Sequence, residues 1–208
     1  MFINLLWSLI AVSSLFSCNG PAPAKEKTPE EVYSITLQKG YTFPYTFKNP
    51  VEKFKLDDKL GEISGLSVIG KENLAAIQDE TGVVYILNKK GKITREYEFF
   101  TKGDFEGVEV VGDKVFVVKS NGDIYGIKDM GKETQSVKIF ETRLNKSANI
   151  EGLGYDKENN RLLLAAKGKM GGDDSFSRSI YGFDLRTNKL SSKPIFTIDL
   201  EQVHSYLD

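Results

Sequence analysis

"DFEGVEVVGDKVFVVKSNGDIYGI", residues 104–127, decides the fold. An acid and a glycine, Glu106-Gly107, open a branched apolar run. A second run follows a Gly-Asp turn, and a third ends in Ile-Tyr-Gly-Ile after "SNGD". Short runs of branched and aromatic residues cut by Gly, Asn and Asp are strands joined by tight turns. The order returns at residues 149–167, "NIEGLGYDKENNRLLLAAK", with Glu151-Gly152, and precedes at residues 62–87, "EISGLSVIGKENLAAIQDETGVVYIL", with Ser64-Gly65. The three glycines stand 42 and 45 residues apart. A tyrosine follows each glycine after 20, 18 and 29 residues (Tyr85, Tyr125 and Tyr181), the last interval stretched by "GKMGGDDSFSR" at residues 168–178.

Around these copies the alternation persists. "VVYIL", "ITREYEFF", "KVFVV", "SVKIF", "RLLLAA", "SIYGF" and "IFTIDL" read as strands, as do "YSITL" and "YTFPYTF" before them. From residue 33 to residue 200 no window holds a helical period over three turns. The fold is therefore expected to be all-β, a β-propeller built from ~43-residue four-stranded blades. One such sheet cannot bury both faces alone, so blades stack around an axis and share cores. Glycine at the mouth of each inner strand implies either a close backbone approach near the axis or a positive φ.

The ends are organised differently. "MFINLLWSLIAVSSLFSC" carries no charged side chain and is too short to span a bilayer comfortably. It suits a secretory signal. Its end, Leu15-Phe16-Ser17-Cys18, resembles the lipobox of bacterial lipoproteins, although "MFIN" lacks the usual basic residue. The resemblance implies a signal peptide over 1–17 and a diacylglycerol on Cys18. Two acyl chains suffice for stable anchoring. The expectation is an exported cell-envelope lipoprotein on the plasma or outer membrane. Residues 18–32, rich in Pro, Ala and charge, read as a flexible tether, and 33–208 as the propeller.

Bulk composition narrows the chemistry. The 208 residues carry 28 Lys and Arg against 29 Asp and Glu, which gives no support for broad nucleic-acid binding. A single cysteine allows neither an internal disulfide nor a thiolate metal site. His204 is the lone histidine, so no multi-histidine zinc site can form, and a Ser-His-Asp triad would have to recruit it.

"EISGLS", "AAIQDETGVVYILNKKGKI", "DFEGVEVVGDKVFVV" and "NIEGLGYDKENNRLLLAAKG", taken in that order, resemble the SdiA-regulated, YjiK-like family of exported bacterial propellers. The resemblance covers about residues 45–200 and implies a membrane-associated propeller with no established catalytic activity. Calcium in the channel is a plausible trait it suggests. A looser similarity runs to phytase-like esterase and calcium-dependent lactonase propellers. Family members continue with further blades, whereas this stretch holds between three and four repeats, so the chain is expected to be truncated rather than a compact four-bladed variant.

Glu106 and Glu151 hold equivalent positions in adjacent repeats, so a propeller brings both to one end of its axis. Glu62, Asp79 and Glu80 are candidates for the same rim. Converging carboxylates are the oxygen set that Ca²⁺ accepts, and crowded carboxylates raise one another's pKa. Three readings stay open for the two glutamates: structural acceptors of backbone N–H groups, which is preferred, metal ligands, or acid–base groups. Lys119 and Lys167, at the ends of the second strands where the first copy has Gln78, are rim lysines that would pair with Glu106 and Glu151 and argue against a metal. The loop at 168–178 matches neither a calcium-loop nor a phosphate-cradle pattern. Two functions follow: a non-enzymatic binding or scaffold propeller, which is favoured, or a calcium-dependent phosphoesterase- or lactonase-like hydrolase.

Overall fold

Strand β6, Lys114–Lys119, shows why the three copies stack. Its Val115, Phe116, Val117 and Val118 are all buried, so both faces of its sheet are covered. Val115 and Val117 pack with Ala75, Ile77, Val84 and Ile86 of the preceding copy. Phe116 and Val118 pack with Ile150, Leu162 and Leu164 of the following one. The computed structural model describes residues 50–144, 146–168 and 176–205. All of these lie in one compact unit that begins at Thr36. Cys18, the leader, the tether, "YSITL", "YTFPYTF" and most of the 168–178 loop, with Asp173 and Asp174, lie outside the described residues.

Three antiparallel sheets are formed among the described residues. The first is β1 (Ile63–Ile69), β2 (Asn73–Gln78), β3 (Thr81–Asn88) and β4 (Ile93–Lys102), hydrogen-bonded in chain order. The second repeats this order with β5 (Phe105–Val111), β6, β7 (Ile124–Lys128) and β8 (Ser136–Phe140). The third is β9 (Ile150–Asp156), β10 (Arg161–Ala166) and β11 (Ser177–Asp184), whose outer edge is shared by β12 (Lys189–Leu190) and β13 (Phe196–Asp199). Each sheet is a meander of the kind that makes a propeller blade. The fold is all-β, of β-propeller type, with adjacent blades joined along their faces. Helix α1, Leu200–Ser205, follows β13, and the Asp199 carboxylate accepts the Glu201 and Gln202 amides at 2.9 and 3.1 Å. That is a capped helix start. Among the described residues no helix is long and apolar enough to cross a membrane.

Alternation along the strands records which faces are covered. Leu162, Leu164 and Ala166 of β10 are buried against the second blade, whereas Leu163 and Ala165 are only half-buried on the other face. The tyrosine of each copy is on the same face as Leu162 and Leu164, turned toward the preceding blade: Tyr181 pairs with Leu164 and Tyr125 with Val117. Tyr125 lies in the seam between the first and second blades, in edge contact with Phe99, Phe100 and Phe105 at centroid distances of 5.7, 5.0 and 5.6 Å. Tyr85 packs instead with Leu60 of a short 3₁₀ turn, Asp58–Leu60.

The inner-strand glycines serve close approach, since neither Gly65 nor Gly107 has a positive φ. A Cβ on Gly65 would lie 2.9 Å from the Val108 nitrogen, and one on Gly107 would lie 2.6 Å from the Leu153 Cβ. Both distances are below ordinary contact, so the inner strands of neighbouring blades run together only because these side chains are absent.

Candidate rim site at the strand mouths

The residue before each motif glycine proves to be a β-bulge residue in all three sheets formed by the described residues, an acid in two of them and Ser64 in the first. Pairing of β1 with β2 steps from Ile63–Gln78 to Gly65–Ile77, which leaves Ser64 over. Pairing of β5 with β6 steps from Phe105–Lys119 to Gly107–Val118, leaving Glu106. Pairing of β9 with β10 steps from Gly152–Ala165 to Ile150–Ala166, leaving Glu151. An extra residue of this kind is unpaired and has its side chain re-aimed. Thus Ser64, Glu106 and Glu151 are the bulged residues of three successive inner strands.

Backbone bonds hold these mouths in series. Within the blades the Asp79, Ser120 and Lys167 amides donate to the carbonyls of Glu62, Asp104 and Asn149 at 3.3, 2.9 and 2.9 Å. Between blades the Phe105 amide donates to Asp79 O at 2.9 Å, and the Ile150 amide to Ser120 O at 2.8 Å. The Ser64 hydroxyl adds a bond to Phe105 O at 2.7 Å. This register shifts one sequence expectation. Gln78 and Lys119 are equivalent, but the third member of that set is Ala166; Lys167 is the counterpart of Asp79 and Ser120. Lys119 and Lys167 are therefore one residue out of step, although the sequence spacing placed them alike.

The consequence is an uneven distribution of charge. Glu151 accepts from Lys167 Nζ at 3.1 Å and from Asn149 Nδ2 at 2.8 Å. Glu106 has no such cation. Lys119 makes no ion pair among the described residues. Burial first, then the charges of Glu151 and Asp104, a hydrogen bond with Asp104 and the charge of Asp79 push the Glu106 carboxyl up to about 7. Asp104 also accepts from the Ser120 hydroxyl. Asp79 Oδ1 is buried with no hydrogen-bond partner. Glu62 and Glu80 are exposed and are not among the acids acting most strongly on Glu106.

Sequence reading missed two residues of the inner strands. Ser67 donates to Glu109 Oε1 at 3.1 Å and accepts the Val110 amide at 3.1 Å, stitching β1 to β5. Burial raises the Glu109 carboxyl, opposed by hydrogen bonds to it from the Ser67 hydroxyl and the Val110 amide. The signal was available, because both residues stand two places after their blade's glycine.

The assembled mouth presents one protonatable carboxylate, one carboxylate already neutralised by a lysine, and an orphaned acid oxygen. Among the described residues no group of three His, Cys, Asp or Glu side chains is gathered as a metal cage. The chemistry present suits a positively charged or proton-donating group that would settle the acids around Glu106.

Comparison with known proteins gives one family. The family model described as SdiA-regulated matches residues 43–169. No curated protein matches the sequence. Among solved structures, the chain is similar to the hydrazine synthase of Kuenenia stuttgartiensis, with 13% identity over 66% of this chain and 37% of that one, TM-score 0.47. It is similar to a streptogramin B lyase, with 15% identity over 72% of this chain and 44% of that one, TM-score 0.46. The Cps50 (Swd1) β-propeller domain of Myceliophteria thermophila gives 14% identity over 66% and 41%, TM-score 0.43. The matched region spans less than half the length of each of these three chains.

Proposed function

The chain belongs to the SdiA-regulated family, and on that premise we propose that it is an exported, membrane-tethered binding propeller without catalytic activity of its own. Its ligand meets the strand mouths through a cationic group held by Glu106. One observation carries the reading: three equivalent bulges converge on a rim where Glu151 has a lysine and Glu106 has only other acids. Carboxylates crowded in this way repel one another, and a bound cation relieves the cost. The orphaned Asp79 oxygen supplies a further acceptor. Calcium, which takes six to eight oxygens in flexible geometry, is the simplest cation to try. Glu106 is the side chain that would hold it, with carbonyls and water completing the shell.

Tethering rests on the lipobox-like Leu15-Phe16-Ser17-Cys18 and on the spacer that follows it. Acylated Cys18 would hold the propeller at the membrane, with residues 18–32 as the slack between them.

A second reading draws on the same residue. A carboxyl near 7 is matched to proton transfer at neutral pH, so Glu106 would be the acid–base group of a calcium-dependent phosphoesterase- or lactonase-like hydrolase. The strands of the propeller carry no histidine to assist it, the lone His204 lying in α1, which favours binding.

The test is a thermal melt of a chain beginning at residue 19, in calcium and then in chelator. A ligand at 100 times its Kd adds about 2.7 kcal/mol, several degrees for a domain of this size. The expected result is a rise with calcium that Glu106→Gln abolishes. A melt indifferent to calcium and to small organic cations such as arginine or spermidine would leave Glu106 a structural strand-mouth residue. Turnover of a generic phosphoester or lactone, lost in Glu106→Gln, would favour the hydrolase instead.

A further inference from the structure

A second concavity lies at the other end of the second blade. Strand β6 runs from Lys119 near the acidic rim to Lys114, six residues in all, roughly 17 Å at ~3.3 Å per residue. There a groove of about 380 Å³ opens between the second blade and the turns of the third. Phe116 and Phe140 form its floor, and Leu185 closes it from the third blade. The floor is open because residue 126 is glycine: a Cβ there would lie 3.0 Å from the Phe140 ring and 3.3 Å from that of Phe116.

Three lysines rim this apolar floor. Lys114 pairs across the ladder with Lys128, and Lys138 pairs with Gly126. Because alternate residues of a strand share a face, Lys114, Lys128 and Lys138 stand on the same side as Phe116 and Phe140. Lys138 Nζ lies 4.9 Å from the centroid of the Phe140 ring. None of the three makes an ion pair among the described residues, and Asp113 is the one acid lining the groove. Asp129 draws on Lys128 only through space, its direct partner being Lys132 at 2.8 Å. Like charges placed directly across a ladder oppose folding. A bound anion would remove that cost.

We propose that this groove binds a small organic acid with an aromatic or branched apolar body, the body seated on Phe116 and Phe140 and the acid group held among Lys114, Lys128 and Lys138. The volume falls in the range of small-molecule sites, and an apolar floor with a few convergent charges is their usual chemistry. Neither the floor nor the lysines belong to the acidic rim, so the groove works independently of Glu106. Its concavity, closed on one side by Asn160, Leu185 and Asn188 of the third blade, suits a molecule that enters between two walls rather than a flat lipid surface.

The test is an amide NMR titration of the full chain with 2-naphthoate, alongside neutral 2-naphthamide and vesicles of anionic phospholipid. Saturable shifts are expected at Gly126, Lys138, Asn160 and Leu185, at least 10-fold weaker for the amide. Lys114→Ala/Lys138→Ala should lose the binding while melting at or above the temperature of the parent, since it removes repulsion from exposed positions. That separates a lost site from a lost fold. Absence of saturable shifts in the groove overturns the proposal. So does equal affinity for the neutral amide, binding unchanged in the double variant, or lysine-dependent binding to vesicles with none to naphthoate.

Discussion

Glu106 and Glu151 share a motif, a bulge and a place in successive blades, yet their surroundings differ. Glu151 is met by Lys167 and Asn149. Glu106 is met by Glu151, Asp104 and Asp79, and burial first, then these acids, raise its carboxyl to about 7. The backbone makes the two positions alike, and the residue directly after each second strand makes them unlike. In the first two blades that residue is Asp79 or Ser120, and in the third it is Lys167. A repeat therefore delivers side chains to a common rim, while single substitutions outside the motif decide which copy is charged, neutral or ready for a ligand.

The largest expected effect separates the glycines that follow the two glutamates. Gly107→Ala drives a Cβ to 2.6 Å from Leu153 and should cost about 1–3 kcal/mol as the inner strands part. Gly152→Ala meets only the Ala165 Cβ, at 3.3 Å, and should change stability by under about 0.5 kcal/mol. Urea midpoints of the two variants check this directly. Equal losses would mean that the glycine acts through backbone freedom and not through close approach.

Next comes the dependence of stability on pH. A carboxyl raised from 4.5 to about 7 on folding binds its proton more tightly in the native state. Stability is therefore fully present below the unfolded value and falls as pH rises through about 7, because the native state holds more protons in that window. For a partly exposed group the loss is discounted to roughly 1–2 kcal/mol between pH 4.5 and 7.5. Glu106→Gln should flatten this segment of the profile and leave the protein more stable than the parent at pH 8. A profile with the same slope in the variant would assign the titration to another group.

Smaller still is the effect of the rim lysine. Lys167→Ala breaks an exposed pair and should cost no more than about 1 kcal/mol. It also uncovers the charge of Glu151, which already raises Glu106, so the Glu106 midpoint should move further up. A downward movement would show that Lys167 does not act through Glu151.

The blades were legible because their alternation is physical. "RLLLAA" is β10, residues 161–166, as written in the sequence, and "VFVV" reads as continuous because both faces of β6 are covered. The glycine of each copy marked the inner strands, and of the two roles left open for it, close approach or a positive φ, Gly65 and Gly107 take the first. The bulge itself was not legible, since it is a property of pairing register. Lys167 was misaligned with Lys119 for another reason. The first hairpin differs in length between blades, so Lys119 stands 12 residues after Gly107 but its counterpart Ala166 stands 14 after Gly152, and one residue changes the face. The split outer strand of the third blade was also hidden, because Lys189–Leu190 is too short to alternate. Ser67 and Glu109 were overlooked although their equal spacing from Gly65 and Gly107 marks them as equivalent, because a bond between residues 42 apart shows only when the copies are laid over one another.

The most direct measurement is the titration of the Glu106 side-chain carboxyl carbon by NMR between pH 4 and 9, with and without calcium. A midpoint near 7 in the absence of metal, moving down when calcium is added, is the predicted result. A midpoint near the ordinary 4.3 of a glutamate, unmoved by calcium, would mean that the acids of the rim are already settled and that Glu106 holds no ligand.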